Sequence, residues 1–361
     1  AGGVSVLFAI VLCAFPAQVL YLITDNLTLV TLAEPYLRIV GFSYIFNSIS
    51  SIYIGMQRSI ENPRFGMIVF ATSMLCNTIG NYVLIFGKLG LPVLGITGAA
   101  VATLLSRVVE FVIVVFYAFR CRTMPLMPHV IFHPGMDMLH RFLRYSAPVL
   151  INETLWGTGF SLITVIMGHM AESSDLTAAY TLAGNIDRLV TSGLFGVAAA
   201  TSVIIGKEIG LGNLKGVYNI GKALCFTALA FGVLLGLLEY AMFATLMRPF
   251  VMPLFSLSAV AEHLCSVMLL CYACSIPLHS FSTTMAVGVL RGGGDVNASL
   301  VIDNVPLWCG TLPLMCLLGL VLKVPNEVFC LCLMIEYIIK SPLGLYRLHS
   351  GKWIHDITRI E

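Results

Sequence analysis

The sequence predicts an all-α polytopic membrane protein: ten transmembrane helices of an inferred twelve, arranged as two parallel six-helix repeats. Three observations carry this. Hydrophobic residues make up 58% of the chain, charged residues only 11%, and mean hydropathy is +0.93; a soluble domain averages about 45–50% apolar and 25% charged. Apolar runs long enough to cross a bilayer, roughly 20 residues each, recur along the whole chain. Two groups of such runs flank one long polar segment, and the groups repeat each other.

The runs lie at 2–22, 34–56, 65–86, 95–119, 145–168, 176–205, 218–245, 257–288, 297–319 and 325–346. The breaks carry loop chemistry: Asn26 and Pro35, Asn62-Pro63, Gly90 to Pro92, Gly210 to Asn213, Gly292 to Asp295, and Pro325-Asn326. The polar segment from Phe119 to Tyr145 holds Arg120, Arg122, Arg141 and Arg144, three prolines (Pro125, Pro128, Pro134) and His129, His133 and His140. It reads as the join between two halves. The domain organisation is therefore an N-terminal lobe over 1–119, a linker over 120–144, a C-terminal lobe over 145–346 and a tail over 347–361.

Positive charge sets the orientation. One set of alternate loops holds Arg58, Arg64, the four linker arginines, Lys207, Lys215, Lys222, Arg291, Lys340, Arg347, Lys352 and Arg359; the other holds only Lys88, Arg248 and Lys323. The linker and C-terminus are thus expected on the cytoplasmic side, in a multi-pass protein of the plasma membrane. Asn26-Leu27-Thr28, on an outward loop, fits the glycosylation pattern.

Internal repetition shows twice. Gly55-Met-Gln-Arg58 matches Gly288-Val-Leu-Arg291, and Glu110 followed by Arg120 matches Glu336 followed by Arg347. Members of each pair share a membrane side, so the repeats are parallel and related by an axis along the membrane normal, a construction that places the substrate path between halves. Six helices follow the linker but four precede it, so two N-terminal helices are inferred to be missing from this sequence. The opening Ala-Gly-Gly, with no basic n-region before its apolar run, argues against a signal peptide.

Eleven cysteines scattered through apolar segments read as small hydrophobes; Cys271-x-x-Cys274, inside a span, lacks the second pair of a zinc site. A net charge of +2 makes no case for nucleic acid.

Several runs resemble helices three to twelve of multidrug and toxic compound extrusion (MATE) transporters. They are Pro35-Tyr-Leu-Arg38-Ile, Asn81-Tyr-Val-Leu-Ile-Phe-Gly87, Gly95-Ile-Thr-Gly98-Ala-Ala-Val-Ala-Thr103, Gly206-Lys-Glu-Ile-Gly210 and Leu290-Arg-Gly-Gly-Gly-Asp295. The resemblance covers essentially the whole chain. It implies a twelve-helix bundle of two lobes that works, as a monomer and not as an enzyme, by alternating access. The implied activity is export of organic cations or drugs in antiport with H+ or Na+, with no other cofactor.

Ionisable groups at membrane depth are costly and are functional candidates by default. Glu153 leads, in Asn152-Glu153-Thr-Leu-Trp156. Protonated it is neutral; ionised it attracts a cation. One group then holds either ligand but not both, as antiport requires. Asn152 supplies a hydrogen bond and Trp156 an aromatic face. The alternative for Glu153 is a helix–helix hydrogen bond; relatives carry an acid in this helix about one turn deeper.

Asp303, in Asp303-Asn304-Val-Pro306-Leu-Trp308, could line a wet cavity or lie near the cytoplasmic surface. Asp187 and Arg188 point about 100° apart on a helix; they read as an interlobe ion pair or, for Asp187, a ligand site. Arg107 with Glu110, and Glu336 with Lys340, read as structural salt bridges. Glu239 reads as reaching water at its helix end. In the N-terminal lobe Asn77 and Asn81 share a helix face and Thr103 follows on the next helix. Relatives combine an Asn, an Asp, a Thr and a first-helix Asp there into a cation site. Asn81 stands in place of that second acid, so this possible Na+ site is incomplete, and the amides could serve only as interhelical glue.

Two rivals remain. A lipid-linked saccharide flippase of the same superfamily would carry a more cationic cavity. A membrane enzyme would need a polar catalytic cluster, for which the linker histidines are the only support.

Overall fold

The computed structural model describes residues 2–21, 27–121, 135–255 and 257–355. The chain divides into two compact units, 1–134 and 135–361. Every regular element among the described residues is helical, and nine helices are long and apolar enough to cross a membrane. The all-α polytopic expectation holds. The linker from Arg122 to Pro134, with His129 and His133, lies outside the described residues, as do Asn26 and Arg359.

The first unit contains α1 (Gly2–Ala14), α2 (Pro16–Tyr21), α3 (Leu27–Ser59), α4 (Pro63–Phe86) and α5 (Gly95–Arg120). The first expected span, 2–22, is instead split at Phe15, because Pro16 has no N–H to continue the ladder. Both pieces pack on α3. Pro35, expected in a loop, lies inside α3; its fixed φ suits a helix, and Glu34 meets Arg38 across the same turn at 3.0 Å. α4 ends on Gly87 at φ 63°, whose N–H bonds back to the Val83 carbonyl, the left-handed cap that glycine adopts without strain. α4 and α5 then run in close contact. A side chain at Gly98 would lie 2.6 Å from the Leu84 carbonyl oxygen. At the other end Phe65 stacks on Tyr117 with ring centroids 4.0 Å apart, and Asn62 donates to both Gln57 Oε1 (3.0 Å) and Tyr117 Oη (3.2 Å).

The second unit contains α6 (Met136–Gly168), α7 (Ser173–Gly210), α8 (Leu214–Phe250), α9 (Ala259–Leu290), α10 (Val296–Val321) and α11 (Asn326–Ser350). α6 begins well before residue 145, so part of the expected linker is helix. Caps fix three starts: Asn213, Ser258 and Asp295 each accept a backbone N–H three residues on, at 3.1, 3.0 and 3.3 Å. α9 is the central helix, with half of its apolar window buried. It packs on α7, α8 and α11. Glycine permits its closest approach: a Cβ at Gly236 would sit 2.5 Å from the Ala273 carbonyl oxygen, and one at Gly232 would sit 2.7 Å from Ser280 Cβ.

Wide π turns interrupt α9 at 284–290 and α10 at 306–311. The second starts at Pro306, whose missing N–H removes an ordinary helical bond. The tail expected from 347 is part of the fold as far as residue 355. Trp353 is fully buried beside Val289 and Leu348, Arg347 Nη2 lies 2.6 Å from Asp295 Oδ2, and the His355 N–H donates to the Gly293 carbonyl at 2.9 Å.

Candidate transport site in the second unit

Four helices of the second unit bring five charged side chains together. Glu153 projects from the middle of α6, Arg291 follows α9, Asp303 sits in the first half of α10, and Glu336 and Lys340 occupy successive turns of α11. Lys340 Nζ lies 2.6 Å from Asp303 Oδ1 and 3.9 Å from Glu336 Oε1. Arg291 Nη1 lies 2.9 Å from Glu153 Oε1, and its Nη2 lies 3.4 Å from Asp303 Oδ2. The Arg291 Nε–H also donates to Ser299 Oγ at 3.2 Å. Three carboxylates and two cations leave the cluster one negative charge in formal excess.

Amides tie the cluster together. Asn152 is buried; its Nδ2 donates to Asp303 Oδ2 at 3.3 Å and to Glu153 Oε1 at 3.4 Å, and its Oδ1 accepts from Asn304 Nδ2 at 2.7 Å. Asn304 donates as well to the Leu300 carbonyl at 3.1 Å. Trp308 Nε1–H reaches the Leu155 carbonyl at 3.3 Å, which fixes α10 against α6.

Burial divides the acids. Asp303 and Lys340 are each 6% exposed at the side chain, whereas Glu153 is 57% exposed and Arg291 16%. Glu153 lies on the side of the cluster that the protein leaves uncovered, because α6 turns Asn152, its neighbour, inward. Asp303, like Glu336, is buried, and it lines a cavity.

The cluster lines a small cavity of about 50 Å3, which shares Trp156, Phe195, His279 and Tyr337 with a larger one of about 490 Å3. The larger cavity is walled by Phe160, Tyr180, Tyr272 and Tyr337, with Asp187 and Arg188 along α7. Trp156 and Phe160 pack at 4.5 Å between centroids, and His279 stacks on Tyr337 at 4.4 Å. An aromatic chamber with acidic groups at its margins suits a flat organic cation.

Of the residues named from sequence, Asn152, Glu153, Trp156, Asp303 and Asn304 meet in one place and Asp187 faces the adjoining chamber. Arg291, Lys340, Glu336, His279 and Tyr337 were missed as site residues. The Glu336–Lys340 spacing was visible, but the Lys340 contact with Asp303 arises between helices, where sequence spacing carries no signal. In the first unit Asn77, Asn81 and Thr103 also converge. Asn81 Nδ2 donates to Asn77 Oδ1 at 3.0 Å, and Asn77 Nδ2 to Thr103 Oγ1 at 3.4 Å. The Thr103 hydroxyl donates to the Ala99 carbonyl at 2.9 Å. Arg107 pairs with Glu110 at 2.7 Å. Glu239, expected to reach water, is fully buried, and among the described residues neither carboxyl oxygen has a hydrogen-bond partner.

Comparison with known proteins agrees with this architecture. The chain is similar to a probable multidrug resistance protein NorM of Thermotoga maritima, 25% identical over 89% of this chain and 67% of the relative. A Bacillus cereus protein described in the same words is 27% identical over 78% of this chain and 61% of its own length. The chain thus spans about 61–67% of these curated relatives. A crystal structure of a mutant Vibrio cholerae MATE transporter, VcmN, superposes with a TM-score of 0.83 at 18% identity, covering 97% of this chain and 76% of that one. The MatE family profile matches residues 1–83 and 148–307, two stretches that fall in both units and include Glu153, Asp187 and Asp303. With most of its length matched, the chain belongs to the MatE family of membrane transporters, not to a family of enzymes.

Proposed function

We propose that this protein is a secondary multidrug exporter of the plasma membrane, an antiporter that exchanges organic cations for H+ or Na+ by alternating access. The observation that carries the reading is the junction of an accessible carboxylate, Glu153, with an aromatic chamber of about 490 Å3. The names of the relatives support drug export. The linker and C-terminus face the cytoplasm in this reading, as the arginine and lysine distribution supports, and a monomer suffices. The flippase alternative calls for a net cationic cavity, whereas acidic side chains outnumber basic ones in the cluster by three to two.

Efflux of ethidium from cells making the full-length protein tests the reading. Wild type lowers cellular ethidium, and Glu153→Gln at equal expression does not. If wild type pumps ethidium or any other organic cation no better than empty cells, the antiporter reading falls and the flippase moves ahead.

A further inference from the structure

The carboxylate offered to a cation is already occupied by a cation of the chain itself. Arg291 spans two acids, with Nη1 at 2.9 Å from Glu153 and Nη2 at 3.4 Å from Asp303, and Nε–H on Ser299. These anchors are unequal. Asp303 is buried and has two further partners, Lys340 at 2.6 Å and Asn152 at 3.3 Å. Glu153 is 57% exposed, and its remaining partner is the Asn152 amide at 3.4 Å. The Glu153–Arg291 bond is therefore the less covered of the two, and Arg291 keeps its hold on Asp303 and Ser299 if that bond opens.

We propose that Arg291 is a tethered competitor for cations at Glu153: an incoming organic cation must displace the guanidinium from the carboxylate to bind. This inference rests on the transport reading and adds a specificity-determining residue to it. Arg291 lines the small cavity together with Trp156, Phe195 and Asp303. A ligand that stacks on those rings gains contacts the guanidinium lacks and can win the exchange. Because the displaced guanidinium remains anchored nearby, it returns to Glu153 and speeds release.

The test is ethidium binding to the purified full-length protein, read by fluorescence, with wild type, Arg291→Gln, Arg291→Lys and Glu153→Gln/Arg291→Gln. Removing the competitor from a partly exposed pair tightens binding by roughly one and a half- to fivefold in Arg291→Gln. Arg291→Lys falls between, since one ammonium cannot span both acids as the guanidinium fork does. The double variant loses the gain. Equal or weaker binding by Arg291→Gln overturns the proposal. Should that variant fail to purify as a monodisperse protein, Arg291→Lys decides: unchanged or weaker binding overturns it, tighter binding supports it. Failure of the antiporter reading shows separately, as absence of ethidium efflux by wild type cells. Binding that is unaffected by Arg291 alongside intact efflux sinks the competitor alone.

Discussion

Lys340 and Asp303 form the buried ion pair that joins α11 to α10 in the second unit: Nζ and Oδ1 are 2.6 Å apart and each side chain is 6% exposed. Removing one partner leaves the other buried charge with only its longer ionic contact, Glu336 at 3.9 Å for Lys340 or Arg291 at 3.4 Å for Asp303, at a cost of up to about 3–5 kcal/mol. Asp303→Asn and Lys340→Met, measured singly in detergent, are expected to lower the unfolding temperature sharply. The double variant recovers most of the loss. Independent, additive losses would show that the pair is not the contact that matters.

Glu153 behaves differently because it is mostly exposed. Glu153→Gln is expected to alter stability by no more than about 0.5 kcal/mol, while abolishing ethidium efflux. A parallel loss of stability and transport would mean that the carboxylate serves packing, and the comparison with Asp303→Asn separates the two roles.

Glu239 presents the opposite case, a fully buried carboxyl with both oxygens unpartnered among the described residues. An unsatisfied buried polar group costs about 1–3 kcal/mol. Glu239→Met, close in size, is expected to raise the unfolding temperature. A fall would reveal that Glu239 holds a partner essential to the fold.

In the first unit the Asn81–Asn77–Thr103 chain links α4 to α5. Hydrogen bonds between membrane helices average about 0.6 kcal/mol. Asn77→Leu, which removes the bond to Thr103 across the two helices, is expected to cost about that much and to leave ethidium efflux at the wild type level. Loss of efflux without loss of stability would restore the first unit as an ion site.

The sequence made the helices legible because a membrane span needs its own internally satisfied, apolar run, a local property. Nine of the ten runs became spans with ends displaced by a few residues, α3 and α6 excepted at their starts. Pro35 was read as a loop residue and sits within a helix, while the first run, read as one span, breaks before Pro16. The site was half legible. Glu153 and Asp303 announce themselves as acids among apolar neighbours. That Arg291 and Lys340 meet them depends on how α6, α9, α10 and α11 are set side by side, which no spacing encodes. Glu239 misled for the same reason, since nearness to a helix end says nothing of what covers it.

Trp353 fills space against Gly221 and Gly293, between the α9–α10 junction and the end of α11, and is wholly enclosed. Residues 351–355, which follow α11, are therefore a closing wedge for the unit that carries the ion cluster. Trp353→Ala leaves every described span untouched, yet it removes the wedge and is expected to lower the unfolding temperature as a core truncation does.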